Sequence, residues 1–329
     1  MIESVQDATT SIYLEMYIFE DTDMGQDLDF VSLLEAKARA GVRVVVILDA
    51  YGSRGFSDGS IERLKQSGAE VLFYSFYLQR THRKLLVVDE RVAYVGGVNL
   101  SRRFKDWDDL VIRVRGKLVS SVARSFARIY RACGGTNTHV LRRARTSPLK
   151  KARMWFVEHG IGAKRHEMRR QYERHIQEAK ETIVLVTPYF LPQRWLLNAL
   201  IQAMQRGVRV EVLLPLRGDY ATIDRLNGYY ADRCSTLGMS IYWYEKMNHS
   251  KAMLVDGKVG VIGSQNLDAL SFNWNVEASM FFDDRELVAD LLKACDVWKE
   301  QSVPHIQGMN RVWYDRPLIM LMRAVEPML

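Results

Sequence analysis

The sequence has few cysteines, no long apolar run and no leader-like start. Its three cysteines, Cys133, Cys234 and Cys295, are an odd and widely spaced set. Such a set provides neither a disulfide framework nor a zinc-binding pattern, and it favours a reducing compartment. No apolar run approaches the roughly 20 residues that are needed to cross a bilayer. The opening residues, MIESVQDATTSIY, have neither the basic start nor the apolar stretch of a secretory signal. These absences predict a soluble or peripheral protein.

The composition is that of a globular protein with a strongly basic central stretch. The 329 residues are 48% hydrophobic and 26% charged, which excludes wholesale disorder and predicts about two domains. The excess of positive charge, +7 overall, is concentrated in residues 141–175, which contain 11 Lys or Arg and 3 Asp or Glu. This stretch is interpreted either as a surface for anionic lipid or nucleic acid, or as a solvated linker. A count of charges does not separate these interpretations.

Two parts of the chain repeat the same order of predicted elements. In the first part, the strand IYLEMYIF is followed by a helix that closes at Gly41, the apolar strand VRVVVILDA, a short helix and another strand. In the second part, the strand TIVLVTPYF is followed by a helix that ends at Gly207, the strand VRVEVLLP, a helix and the strand MSIYWYE. The repeat predicts two similar α/β halves of βαβ type, joined by the basic stretch.

The pattern His-x-Lys-x4-Asp occurs once in each half and is followed each time by Gly-[Gly/Ser]-x-Asn, with 167 residues between matched positions. Two copies at one constant offset indicate a functional constellation rather than coincidence. We assign the catalytic set to the six motif residues, His82, Lys84, Asp89, His249, Lys251 and Asp256. The trailing pattern supplies the predicted phosphate-binding positions, Gly97, Asn99, Ser264 and Asn266.

The spacing of the motif has a physical meaning. Side chains two apart in a strand point to the same face, so the His and the Lys of each motif project together. The glycine pair before Asn99 allows a backbone to approach an anion closely. Two such halves facing each other would surround a single tetrahedral anion, with the twin lysines holding its negative oxygens. Asp89 and Asp256 lie at an odd offset from His, which predicts that they fix loop backbone rather than touch the substrate.

The two imidazoles are predicted to divide the chemistry between them. One attacks phosphorus and forms a phosphohistidine, and the other protonates the departing oxygen and later accepts the proton of the incoming alcohol. Each ring needs a carboxylate at its other nitrogen to orient it. The candidates are Asp109 in DWDDL and Glu277 in NWNVE. We expect no metal and no other cofactor, because the two lysines supply the charge that a divalent ion would bring.

The duplicated motif and its trailing residues resemble the phospholipase D superfamily over roughly residues 8 to 300. Within it, bacterial cardiolipin synthases are the most similar. The similar stretches are IYLEMYIF, HRKLLVVDERVAYVGGVNLS, TPYFLP, GVRVEVLLP and HSKAMLVDGKVGVIGSQNLDALSFNWNVE. The resemblance implies an α/β fold of two phospholipase D-like halves, with mixed or mostly parallel sheets flanked by helices. It further implies pseudo-two-fold symmetry with one active site between the halves.

The resemblance also implies roles for individual residues. It makes His82 the nucleophile and His249 the general acid, an order that the residues alone leave open. It aligns Asp109 with the aspartate of a Trp-Arg-Asp pattern in many synthases, although Asp106 and Asp108 are adjacent alternatives. The predicted division of the chain is 1–138 for the first half, 139–170 for a basic linker, 171–302 for the second half and 303–329 for an amphipathic C-terminal tail.

Three functions are compared on this basis. The leading one is a phosphatidyltransferase that resembles cardiolipin synthase and joins phospholipids, two phosphatidylglycerols giving cardiolipin and glycerol. The alternative is a phospholipase D-type phosphodiesterase, either a lipid hydrolase or a nuclease, in which water replaces the lipid hydroxyl. The third is a protein without activity that binds anionic lipid through residues 141–175.

The expected partners follow from the leading function. They are an anionic phospholipid substrate, phosphatidylglycerol or similar, and the membrane surface. Nucleic acid is disfavoured and no obligate protein partner is inferred. We expect peripheral attachment to the cytoplasmic membrane of a bacterium, without a transmembrane segment in this chain. Typical synthases carry N-terminal transmembrane segments, so the chain is expected to be a shorter variant or to lack an upstream portion. The tail VWYDRPLIMLMRAVEPML is either an interfacial anchor or a helix packed on the core.

Overall fold

The structure is a computed structural model, which describes residues 1–21, 29–76, 79–144, 153–160 and 166–308. Most of the predicted C-terminal tail and parts of the predicted linker lie outside these residues. Within the described ranges, no helix has the length and apolar character needed to cross a bilayer.

The first half is a six-stranded sheet with helices on both faces. Its elements are α1 (Ile2–Gln6), β1 (Ser11–Met16), α2 (Phe30–Arg39), β2 (Arg43–Asp49), α3 (Asp58–Gln66), β3 (Glu70–Tyr74), β4 (Lys84–Val88), β5 (Val92–Gly96), β6 (Val111–Arg115), α4 (Val119–Ala132) and α5 (Thr138–Arg143). The spatial order is β3-β2-β1-β4-β5-β6.

The second half repeats this arrangement with an additional strand at each edge. Its elements are β7 (Met154–His159), α6 (Glu167–Glu178), β8 (Thr182–Val186), α7 (Arg194–Gln205), β9 (Arg209–Pro215), α8 (Ala221–Thr236), β10 (Ser240–Tyr244), β11 (Ala252–Val255), β12 (Val259–Gly263), α9 (Ala269–Asn273), β13 (Glu277–Phe282), α10 (Arg285–Glu300) and β14 (Ser302–Pro304). The spatial order is β14-β10-β9-β8-β11-β12-β13-β7. The segment 139–170, predicted as a linker, thus contributes β7 to this sheet.

Both sheets are mixed, as the resemblance implies. β1, β2 and β3 pair in parallel, and so do β8, β9 and β10. The motif strands β4 and β11 pair antiparallel with both of their neighbours. The β4–β5 and β11–β12 pairs must be antiparallel, because a short turn can join only antiparallel strands. Parallel pairing is therefore confined to the βαβ part of each half.

The helices begin and end where local chemistry favours it. Asp29 caps α2 by accepting a hydrogen bond from the Val31 amide at 2.9 Å, and Gly41 follows the helix with a φ of +86°. Along α2, Phe30, Leu34 and Ala38 recur every four residues and are buried. This spacing places one apolar stripe against the sheet.

The apolar residues form three layers of core. Alternate residues of β1 point to opposite faces, so Ile12 and Leu14 pack under the outer helices of the first half, whereas Tyr13 faces the other half. The central layer lies between the sheets and contains α4 residues such as Phe126 together with second-half residues such as Met280. A third layer covers the outer face of the second sheet. Both faces of each sheet are therefore buried, and the two halves form one continuous body.

Candidate active site

The motif side chains of the two halves meet at the interface between the sheets. His82 and Lys84 stand at the amino end of β4, and His249 and Lys251 stand just before β11. All four are buried, with exposures of 9%, 4%, 5% and 2% respectively. The charges of Lys84 and Lys251 both lower the pKa of His82. Since these lysines belong to different copies of the motif, the two copies share one pocket.

The first imidazole is held by a carboxylate of the second half. His82 Nδ1 lies 3.1 Å from Glu277 Oε1 and 3.0 Å from the carbonyl oxygen of Ser264. Both partners accept, so Nδ1 carries the proton and Nε2 keeps its lone pair. The Ser264 hydroxyl donates to Glu277 Oε2. Although burial opposes it, the contacts with His82, Lys84 and Ser264 hold the pKa of Glu277 below its ordinary value.

The second imidazole is held by a carboxylate of the first half. His249 Nδ1 lies 2.7 Å from Asp109 Oδ2, and the Leu110 amide donates to Asp109 Oδ1 at 2.7 Å. A Cβ at Gly97 would collide with this carboxylate. Asp106 and Asp108 are not the partners of this ring in the structure, since the Asp108 carboxylate accepts the Tyr244 hydroxyl at 2.7 Å.

Backbone hydrogen bonds fix both crossed pairs. The His82 amide donates to Val276 O at 2.9 Å, and Val276 is the residue before Glu277. The His249 amide likewise donates to Asp108 O at 2.7 Å, and Asp108 is the residue before Asp109. Each histidine is thus joined to the opposite half through its main chain as well as its ring.

The two lysines are anchored in the same way. Lys84 Nζ donates to His82 O at 2.7 Å, and Lys251 Nζ donates to His249 O. Burial, together with the charge of Lys251, lowers the pKa of Lys84 to about 7. Burial lowers the pKa of Lys251 to about 8, against the opposing charges of Asp109 and Glu277. Two buried lysines whose pKa values are lowered by burial make a site in which a bound anion is stabilised.

The same environment keeps the histidines neutral in the absence of an anion. Burial and the charge of Lys251 lower the pKa of His249 to about 3, although Asp109 opposes the shift. Burial and Lys84 likewise lower the pKa of His82. A bound phosphate would add negative charge beside both rings and raise these values. The pocket is therefore suited to one neutral nucleophile and to an acid that gains its proton with the substrate.

The motif aspartates lie at the opposite edge of the sheets. Asp89 follows β4 and accepts backbone N–H groups of Thr9, Thr10 and Ser11 at 2.7–3.1 Å. Five residues separate it from Lys84, about 16 Å along a strand. Its φ of +50° places it in a tight turn between β4 and β5. Here it fixes the start of β1.

Asp256 repeats this arrangement in the second half. It has a φ of +53° and accepts the backbone N–H groups of Lys180, Glu181 and Thr182 at 2.8–3.2 Å. Neither motif aspartate is brought into the pocket.

The four predicted phosphate-binding residues differ in their hydrogen bonds and packing. Asn99 Oδ1 accepts the Ile18 amide at 3.2 Å, which leaves its amide hydrogens as donors. Asn266 Oδ1 is buried and has no hydrogen-bond partner among the residues that the structure describes. Ser264 supports Glu277 rather than standing free, and Gly97 makes room for Asp109. A phosphate-binding role for these four residues stays a prediction.

Two aromatic rings complete the walls of the pocket and were not identified from the sequence. Tyr17 packs edge-on against His82 with ring centroids 4.6 Å apart, and Lys84 Nζ lies 4.9 Å from the same ring. Trp107 lies 5.4 Å from the ring of His249. Tyr17 lies within the predicted strand IYLEMYIF and directly follows β1 as the structure has it. The carboxyl end of a parallel strand is where ligand-binding residues are expected. This position near the end of a predicted strand is the sequence signal by which Tyr17 could have been identified.

Comparison with known proteins identifies the family of the chain. The family model described as "Cardiolipin synthase, PLD-like domain" matches residues 1–130 and 172–297. The cardiolipin synthase of Listeria monocytogenes serotype 4a (strain HCC23) is 30% identical over 337 residues, covering 95% of this chain and 69% of that protein. The minor cardiolipin synthase of Bacillus subtilis (strain 168) is 26% identical over 346 residues, covering 99% and 85%.

Solved structures share the fold at low sequence identity. The phosphatidylserine synthase of Haemophilus influenzae Rd KW20 superimposes with a TM-score of 0.76 at 15% identity, over 98% of this chain and 89% of that chain. The polyphosphate kinase of Porphyromonas gingivalis gives a TM-score of 0.63 at 13% identity, over 100% of this chain and 51% of that chain. These likenesses establish the arrangement of the two halves.

Proposed function

The chain belongs to the phospholipase D-like family of cardiolipin synthases, and from this membership we propose that it is a phosphatidyltransferase that converts two phosphatidylglycerols into cardiolipin and glycerol. The observation that carries the proposal is the crossed site. Two imidazoles, each held by a carboxylate of the opposite half, flank two buried lysines. Such a pocket can bind one phosphodiester and act on it from both sides.

The first step transfers a phosphatidyl group to the enzyme. The diester phosphate of the donor lipid binds between Lys84 and Lys251, whose charges stabilise the oxygens of the transition state. His82 Nε2 attacks phosphorus while the bond from phosphorus to the departing glycerol oxygen breaks. His249 donates its proton to that oxygen, and free glycerol leaves.

The second step transfers the group to an acceptor lipid. A glycerol hydroxyl of another phosphatidylglycerol attacks the phosphohistidine, and neutral His249 accepts the hydroxyl proton. The bond between phosphorus and His82 Nε2 breaks, which regenerates the starting imidazole and releases cardiolipin. Since one diester is exchanged for another, the reaction needs no external energy source.

The assignment of His82 as nucleophile is supported by its surroundings. Its Nδ1 proton faces two acceptors, Glu277 and the carbonyl of Ser264. Glu277 is fully buried, so its charge acts on the imidazolium-like nitrogen of the intermediate with little screening. His249 has the Asp109 carboxylate as its partner, and burial together with the charge of Lys251 lowers its pKa to about 3.

The test is a product analysis. Purified protein is incubated with vesicles of phosphatidylglycerol, and lipids are identified by mass spectrometry. We expect cardiolipin and an equal amount of glycerol. Formation of phosphatidic acid alone would show a hydrolase, and cleavage of labelled DNA without any lipid product would show a nuclease; either result contradicts the proposal. A double variant, His82→Ala with His249→Ala, controls for contaminating activity.

We infer that the chain acts as a peripheral protein at the cytoplasmic face of a bacterial membrane, since both predicted substrates are bilayer lipids. Fractionation of cells into soluble and membrane parts, with and without a high-salt wash, tests this. Release by salt is expected for a peripheral protein held in part by charge.

A further inference from the structure

A group of aromatic and basic side chains, most of them exposed, lies in loops at the strand ends that carry the catalytic groups. We define this rim cluster as Tyr51, Arg54, Phe76, Arg80, Tyr220 and Trp274. Its four aromatic members are 47%, 40%, 59% and 44% exposed for Tyr51, Phe76, Tyr220 and Trp274. Exposure of several large aromatic rings in one region is unusual for a surface that faces only water.

The cluster lies at the same edge of both sheets as the catalytic groups. Tyr51 follows the carboxyl end of β2, Phe76 follows β3 and Tyr220 follows β9. Trp274 stands in the loop that leads into β13, three residues before Glu277, the carboxylate partner of His82. The rim cluster therefore combines loops from both halves around one opening.

Direct contacts connect the cluster to the pocket. A Cβ at Gly52, next to Tyr51, would collide with the ring and carbonyl of Tyr17, the ring that packs on His82. Val276, two residues after Trp274, donates its amide to Arg80 O at 2.7 Å. The cluster is thus packed on the walls of the site and does not belong to a separate surface.

The positive charge of the cluster is available to a partner. The guanidinium carbons of Arg54 and Arg80 lie 4.1 Å and 4.5 Å from the centroid of the Tyr51 ring. Within the described ranges, neither arginine forms an ion pair with a carboxylate.

The basic residues of α6 provide a contrast. Arg169, Arg170 and Arg174 each pair with a glutamate of their own helix. The basic stretch 141–175 is the candidate for binding anions that the sequence offers, and in its α6 part the three arginines are compensated by glutamates. The guanidinium groups of Arg54 and Arg80 stack on Tyr51 beside the pocket and form no direct ion pair in the described parts of the chain.

We propose that the rim cluster is the surface by which the chain docks on an anionic bilayer, so that the pocket opens onto the lipid headgroups. This inference rests on the proposed function. A diester phosphate must reach lysines that are 4% and 2% exposed while its acyl chains remain in the bilayer, which requires the entrance to lie against the membrane. Tyrosine and tryptophan rings are favoured at the depth of the headgroups, and arginine binds their phosphates.

The test measures binding without turnover. Cosedimentation with vesicles of phosphatidylcholine and phosphatidylglycerol compares wild type with Arg54→Glu and Trp274→Ser. Near an anionic surface one basic side chain contributes about a five-fold change in affinity, so Arg54→Glu should weaken binding at least about five-fold. Trp274→Ser should weaken it by a similar factor. Matched controls at the opposite edge of the sheets, Arg91→Glu in the β4–β5 turn and Leu237→Ser after α8, should change binding less than about two-fold.

Activity toward two forms of the substrate separates docking from folding. On monomeric short-chain phosphatidylglycerol, Arg54→Glu and Trp274→Ser should act like wild type, whereas on vesicles their apparent KM should rise. Wild-type binding by either variant, or failure of wild type to bind these vesicles, would overturn the inference. The inference would also be overturned if the two variants lost binding to a single-stranded oligonucleotide but kept wild-type binding to vesicles. If vesicle binding depends on the cluster but no cardiolipin forms, the proposed function fails while the docking surface stands.

Discussion

The residue between His and Lys in the motif differs between the two halves, being Arg83 in the first and Ser250 in the second. Arg83 is fully buried and forms an ion pair with Glu15 on β1. The register of the sheets places Val186 of β8 opposite Ala252, as Glu15 is opposite Leu85. The second half therefore has an apolar residue where the first half has a buried carboxylate.

The buried charges of the first half also join it to the second. Arg83 contacts the Ser125 hydroxyl on α4 and lies 3.6 Å from Glu158 on β7, and Ser125 donates to Glu158. The Ser250 hydroxyl, by contrast, is buried with no hydrogen-bond partner in the described parts of the chain. The motif fixes only the groups that face the pocket, and the side of the strand that faces the core was free to diverge.

The largest expected effect tests whether the two imidazoles have different roles. His82→Ala and His249→Ala should each lower kcat on phosphatidylglycerol by about 10⁴-fold or more, because the residues act as a unit. A phosphatidyl ester of nitrophenol needs no general acid. With it, His249→Ala should release a burst of nitrophenol and retain labelled phosphatidyl on the protein, and His82→Ala should do neither. The opposite pattern would exchange the roles.

A second comparison concerns the buried residues between His and Lys. Arg83→Met should lower the free energy of unfolding by about 3–5 kcal/mol, because it leaves the Glu15 carboxylate buried and unpaired. Ser250→Ala removes a hydroxyl without a partner and should change stability by less than about 1 kcal/mol. Urea denaturation measures both. Replacing Glu15 by Leu in the Arg83→Met background should recover most of the loss; equal effects at positions 83 and 250 would contradict this difference between the halves.

Replacing either lysine by alanine should lower kcat to a similar extent. Lys84→Ala and Lys251→Ala should each lower kcat by about 10²-fold, as for the loss of one preorganised donor to developing charge. Steady-state kinetics on phosphatidylglycerol measures this. Near-full activity of Lys251→Ala would argue against a phosphate between the two ammonium groups.

The pH dependence of kcat/KM should differ between wild type and Lys84→Ala. The kcat/KM of wild type reports groups of the free enzyme and should fall as pH rises through about 7, where Lys84 loses its proton. In Lys84→Ala the fall should move to higher pH, toward the value of about 8 for Lys251. An unchanged profile in that variant would assign the titration to another group.

The smallest effects on kcat are expected at the motif aspartates. Asp89→Asn should cost about 1–3 kcal/mol of stability through weaker bonds to the β1 backbone, with little change in kcat. Its pKa is lowered from 3.8 to about 2 by hydrogen bonds, against the opposing effect of burial. Because the folded-state pKa is depressed, this stabilisation is complete above pH 3.8 and is lost as pH falls toward 2.

Asp256→Asn should lower the stability of the protein less than Asp89→Asn does. Within the described ranges, the carboxylate of Asp256 accepts only backbone N–H groups, whereas that of Asp89 also accepts the Thr9 and Thr10 hydroxyls. Urea midpoints at pH 5 and pH 3 compare the two variants with wild type. A large loss of kcat in either variant, with stability retained, would place these residues in the chemistry after all.

Much of the fold and the family could be predicted from the sequence. The repeat predicts two α/β halves, and the similarity to bacterial cardiolipin synthases is confirmed by the family model and the named relatives. The parallel strands are recognisable as continuous apolar runs because both of their faces are buried. The edge strand β7 was not predicted, since MWFVEH lies in a stretch dominated by Lys and Arg.

The pairing of histidines with carboxylates could not be predicted. Asp109 and Glu277 are identifiable as candidates because each follows a motif at a similar distance. Nothing along the chain says that His82 reaches Glu277, 195 residues away, and that His249 reaches Asp109, 140 residues away. That crossing depends on how the two sheets face each other.

The sequence by itself determined which groups share a strand face and which backbone positions tolerate a positive φ. The first depends on the two-residue period of a strand and the second on the residue type at that position. It therefore specified the His and Lys pairs and the turns at Asp89 and Asp256. Only the tertiary structure decided the crossed pairs, the depressed pKa values of Lys84 and His249 and the rim around the entrance. These depend on burial and on charges brought together from distant parts of the chain, and neither is a property of any local segment.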